Sequence, residues 1–151
     1  MATKKQATKK KARKASRPPA RRQPETLRLR DVSPSFTASD LPRSIAFYRD
    51  VLGFVVGDEW RADGVLQGCE MRAGTVLFML TQDDFKKGRD RQKGIGSRLH
   101  CSTAQDIDRL AEEIKARGGT LDQEPTDMEW GQRVFMITDP DGFKLTIAQV
   151  R

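Results

Sequence analysis

The feature that most constrains this chain is an internal repeat. Asp40-Leu41-Pro42-Arg43-Ser44 aligns with Asp106-Ile107-Asp108-Arg109-Leu110, and Gly53 aligns with Gly119 at the same offset. In each copy a capping Asp opens an amphipathic run and a glycine closes it. A repeat of this kind is read as two copies of one module, and 151 residues leave room for two small modules around one core.

The first copy gives the clearer local reading. A first strand is expected over residues 26–38, with Val32 and Phe36 as its strongest apolar positions. Pro34 inside it argues for an edge position or an irregularity. Ser39-Asp40 supplies an N-cap, and Pro42 falls in the first helical turn, where its missing N–H costs little. Leu41, Ile45, Tyr48 and Leu52 recur at helical spacing, widened by Phe47 and Val51, and Gly53 is the stop. Strands follow over 54–60, 64–71 and 75–81. Residues 83–96, polar and glycine-containing, form the linker.

The second copy repeats this order. A strand over 97–103 leads to a helix capped by Asp106, with Ile107, Leu110, Ala111 and Ile114 buried, and then to Gly118-Gly119. A short strand over 120–123 is followed by Glu124-Pro125-Thr126-Asp127, read as a turn. The stretch 130–137, the turn Asp139-Pro140-Asp141-Gly142 and a strand over 143–150 close the chain. Each half is therefore βαβββ. The class is α+β, two modules (28–82 and 97–150) whose curved mixed sheets surround a cleft.

Charge is unevenly placed. Residues 1–24 hold ten Lys/Arg and no Asp/Glu, whereas the rest of the chain has 18 basic against 21 acidic side chains. The basic pI thus belongs to a low-complexity tail with little to bury, which is expected to be disordered. Such a tail either contacts nucleic acid non-specifically through phosphates or is a solvated extension. The folded part, 25–151, is mildly acidic. Cys69 and Cys101 stand apart in strand-like surroundings and suit reduced thiols. There is no apolar run of membrane-spanning length and no apolar region behind the N-terminal charges, so a cytoplasmic location without membrane contact is expected.

The motifs resemble those of the glyoxalase/bleomycin-resistance/extradiol-dioxygenase superfamily, the vicinal oxygen chelate fold. The matching residues are Ser39-Asp40-Leu41 with Ser44, Phe47-Tyr48 and Val51-Leu52-Gly53-Phe54. In the second half they are Asp106-Ile107-Asp108, Gly118-Gly119, Trp130-Gly131, Arg133-Val134-Phe135 and Asp139-Pro140-Asp141-Gly142. The resemblance spans residues 28–150.

It implies a divalent metal held by His and Glu from four strands. Carried over position by position, it puts Ser33 and Leu99 seven residues before the two capping Asp residues. Thr146 falls four residues after Gly142, and Phe78 takes the remaining position. These side chains do not form a catalytic divalent-ion site, so no metal or other cofactor is expected.

His100, the sole histidine, follows Leu99. Strand alternation sends it to the other face, as a structural residue, unless a bulge turns it inward as a ligand or base. Trp60 and Trp130, beside turns and strand ends, suit either packing or stacking on a planar ligand. Arg133 suits a ligand carboxylate or a neighbouring acid.

The resemblance to the metal-free bleomycin-resistance branch implies a homodimer with shared clefts. It also implies a small molecule, planar or aromatic, held among Ser33, Phe36, Trp60, Phe78, Leu99, Trp130, Arg133 and Thr146. The alternatives are a metal-dependent glyoxalase- or dioxygenase-like enzyme and a nucleoid-associated protein using the tail.

Overall fold

The structure, a computed structural model, describes residue 27 and residues 29–150. The tail expected over residues 1–24 lies outside the described residues. Every helix and strand described here falls in one compact unit that begins at Val32.

The first module runs β1 (Ser35–Ala38), α1 (Leu41–Ala46) with a π-helical extension (Phe47–Val51), β2 (Val55–Ala62), β3 (Val65–Ala73) and β4 (Val76–Gln82). The second runs β5 (Arg98–Thr103), α2 (Ile107–Ala116), β6 (Leu121–Asp127), β7 (Arg133–Thr138) and β8 (Lys144–Gln149). The sheet orders, β1-β4-β3-β2 and β5-β8-β7-β6, are equivalent. In each, the strand before the helix pairs parallel with the last strand, and the other pairs are antiparallel. The repeat in the sequence is a repeat in space.

Both helices begin as expected. Asp40 and Asp106 adopt extended backbone and accept from Arg43 N at 3.0 Å and Arg109 N at 2.8 Å. The first helix ends differently, because Leu52 N donates to Phe47 O and closes a wider π turn. Gly53, at φ +82°, then turns the chain into β2.

Two strand expectations are corrected. β1 starts only after Pro34, whose carbonyl accepts from Met79 N, and Val32 is exposed rather than buried in a strand. The stretch 124–127 is not a turn but the second half of β6. β6 is an edge strand with two register shifts, so Pro125 costs no inner-ladder hydrogen bond.

One core joins the modules. Leu41, Ile45 and Tyr48 from α1 and Ile107, Ala111 and Ile114 from α2 pack with Phe36, Met71, Phe78 and Leu80 of the first sheet. Phe135, Ile137 and Leu145 of the second sheet complete the cluster. Phe36 stacks on Phe143 across the seam, with ring centroids 4.2 Å apart. Each sheet thus turns one face to the shared core, and its opposite face points away from that core.

Candidate functional site

Strand register defines the two open faces. On the first sheet Ser35, Met79 and Glu70 form one row, and Thr37, Thr81, Gly68 and Trp60 form the next. On the second sheet His100, Thr146 and Met136 form a row, flanked by Ser102, Ala148, Val134 and Thr126. Alternation puts the intervening residues in the core. These are Phe36, Leu80 and Cys69 in the first sheet and Leu99, Leu145 and Ile137 in the second.

Several residues singled out from the sequence are therefore separated. Phe36 (7% exposed) and Phe78 (1%) are core residues, and Leu99 packs against the same cluster. Thr146 shares a face with His100, reached by plain alternation without a bulge, but Thr146, Ala148 and Val134 on that face are themselves buried, and His100 and Ser102 are its exposed members. The seven-residue step fails in the second module for a simple reason. β1 ends at Ala38, two residues before Asp40, whereas β5 ends at Thr103, three before Asp106. One extra residue inverts every side chain relative to the ruler. Ser33 precedes Pro34, outside the strand, and is half-buried.

The aromatic and cationic candidates fare unequally. Trp60 lies flat across β3. A Cβ built on Gly68 would fall 2.2 Å from its ring, so only glycine fits beneath it. The ring is still 36% exposed, a platform on the open face. Trp130 is 59% exposed in the β6–β7 turn, where its Nε1 donates to Gln132 Oε1 at 3.1 Å. Arg133 is engaged by acids of its own module: Nε and Nη2 donate to Asp108, and Nη1 donates to Asp127 at 3.0 Å. The Asp108 bonds, first among the causes, raise its already high pKa further.

Sequence reasoning missed Met79, Glu70, Gly68 and Met136. Gly68 had a signal, since a glycine inside a strand marks a close approach. Glu70 accepts from Arg72 Nε at 3.1 Å, and this bond holds its carboxyl below the usual range. Arg98 Nη1 donates to Thr146 Oγ1 at 3.2 Å, covering that hydroxyl, which is 3% exposed with its residue.

Two βαβββ modules with equivalent sheet orders around one core define an α+β fold of paired, repeated modules. The chain belongs to the Glyoxalase/Bleomycin resistance protein/Dioxygenase superfamily, whose model matches residues 32–147. It is similar to "Lactoylglutathione lyase GLX1" of Arabidopsis thaliana, 26% identical over 120 residues, which is 76% of this chain and 42% of the relative. A "Putative lactoylglutathione lyase" of Brassica oleracea var. gemmifera is 25% identical over the same shares. The chain therefore spans less than half the length of the curated relatives it matches.

Among solved structures, a superfamily member from Sphaerobacter thermophilus shares the fold at TM-score 0.64 and 24% identity, covering 78% of this chain and 94% of that one. TioX from Micromonospora sp. ML1 does so at TM-score 0.62 and 17% identity, covering 80% and 96%.

The fold family implies a divalent ion, and the residues present do not fit one. Among the described residues no group of three His, Cys, Asp or Glu side chains converges. His100, on the edge strand, has Thr146 beside it in register and Met136 beyond that, and Glu70, the acid of the other open face, is already paired with Arg72. Thioether and hydroxyl neighbours make a poor donor set for a catalytic divalent ion.

Proposed function

We propose that this chain binds a planar or aromatic small molecule on its open sheet faces without a metal ion and without breaking a bond. The observation that carries the reading is Trp60 laid over Gly68, half-exposed on the row that continues through Thr81 and Thr37. A flat ring fixed from beneath offers its other face for stacking, and the threonine hydroxyls beside it supply orientation. Phe36, Phe78 and Leu99 act behind this surface as the packed core that keeps the strands in place. Ser33, Thr146, Trp130 and Arg133 are at most rim residues in this reading.

A homodimer in which the first sheet of one chain meets the second sheet of its partner would close two equivalent clefts, and members of the superfamily commonly form dimers. Sedimentation velocity tests this, with a dimer expected at micromolar concentration and a monomer contradicting the shared cleft.

The binding reading is tested by a thermal-shift screen against planar aromatic metabolites and antibiotics, repeated with Trp60→Ala. A ligand at about 100 times its Kd adds about 2.7 kcal/mol to apparent stability. A hit whose shift is lost in Trp60→Ala supports the site, and hits indifferent to Trp60 oppose it.

A further inference from the structure

A cavity of about 480 Å³ opens on the other side of the sheets, at the seam between the modules. Its floor is Phe54, Phe78, Phe135 and Ile147, and Cys101 lines its wall. Neither Trp60 nor His100 lines it, so it is separate from the open faces. Its volume falls within the roughly 300–1,000 Å³ common to small-molecule sites, where an apolar body is oriented by a few polar groups.

The mouth carries those polar groups on α2 and just after it. Glu113 accepts from Arg109 Nε at 2.9 Å and from Arg117 Nη2 at 3.3 Å. Glu113 and Arg117 both line the cavity, and the carboxylate that pairs with Arg117 is shared with Arg109 outside it. Arg117 is held only by long bonds, 3.3 Å to Glu113 and 3.4 Å to Val51 O, against 2.9 Å for the bond from Arg109 to Glu113. A guanidinium with long bonds and free N–H groups can take a carboxylate in a stronger, charge-assisted pair.

We propose that the seam cavity binds a small amphipathic monocarboxylate. Its apolar body lies against Phe54, Phe78, Phe135 and Ile147, and its carboxylate pairs with Arg117. This site does not depend on the proposed open-face function.

The test titrates the full chain with decanoate and with 1-decanol by calorimetry, alongside N-ethylmaleimide labelling of Cys101. Cys69, fully buried, serves as the internal control. Decanoate should bind once per chain, more tightly than decanol, and slow the alkylation of Cys101. Arg117→Gln should weaken it about ten-fold, the worth of one charge-assisted bond. Val76→Trp, at a 39% exposed position on the cavity rim, should block entry without touching the Arg117 link between modules. Trp60→Ala should bind as the parent does. Absence of saturable binding, equal affinity for decanol, wild-type binding by Val76→Trp, or loss of binding in Trp60→Ala would each overturn the proposal.

Discussion

Tyr48 donates its hydroxyl to Oδ2 of Asp139 at 3.0 Å, inside the core and across 91 residues of sequence. It ties the first helix to the Asp139-Pro140-Asp141-Gly142 turn of the second module. Asp139 also accepts from the backbone N–H of Asp141 and Phe143, and burial pushes its carboxyl up from the ordinary range. Burial likewise raises the Tyr48 phenol, which therefore stays a donor. Tyr48→Phe removes this donor and leaves a buried carboxylate oxygen short of a partner. The expected cost is about 1–3 kcal/mol, on the order of 5–10 °C in Tm for a domain of this size. An unchanged melting curve would remove the bond from the account of how the modules are joined.

Gly68 makes a sharper demand on space. Its Cβ position is occupied by the Trp60 ring and approached by Leu80 O at 2.5 Å. Gly68→Ala should destabilise by about 1–3 kcal/mol, the cost of overpacking, and should blue- or red-shift Trp60 emission as the ring is displaced. Ligand-induced thermal shifts should fall with it. Wild-type stability together with wild-type emission would mean that the ring does not rest there.

The linker is fastened by ions. Lys93 Nζ lies 2.8 Å from Asp83 Oδ2 and 2.7 Å from Ser39 Oγ, with Lys93 and Asp83 both 5% exposed. The Lys93 bond first, then the Phe85 N–H and Arg91, hold the Asp83 carboxyl far below its ordinary value of about 3.9. A depressed folded-state pKa contributes stability that is present above the unfolded value and lost as pH falls. Melting temperature should therefore drop as pH is lowered below about 4, and Asp83→Asn should flatten that slope while lowering Tm by several degrees at neutral pH. Equal slopes in parent and variant would place the acid sensitivity elsewhere.

The repeat made most of the fold legible. Asp40 and Asp106 set both helix starts, Gly53 and Gly119 follow both helices, and the apolar spacing of Leu41, Ile45 and Tyr48 marked the buried face. The site was less legible because side-chain direction on a strand depends on single residues. The extra residue between β5 and Asp106 moved the open-face position from Leu99 to His100. By the same sensitivity Phe78 faces the core side and the seam cavity, with Met79 facing out beside Ser35 and Glu70. Trp60 was visible as a candidate, but Gly68 beneath it required the register to be known.

The ten Lys/Arg of residues 1–24 lie outside the described residues, and their contact with nucleic acid is a separate proposal. Removing them should abolish retention on DNA at about 100 mM salt, and the intact chain should lose retention steeply between about 50 and 200 mM. Equal retention of the two chains would dismiss the tail as the cause.

The most direct test of the central claim, binding without a metal, is metal content. The full chain, incubated with Ni, Zn, Mn and Fe salts, dialysed and analysed by inductively coupled plasma mass spectrometry, should retain far less than one equivalent of any of them. His100→Ala should not change the result. One equivalent per chain, lost in His100→Ala, would contradict the account and turn the open face into a metal centre.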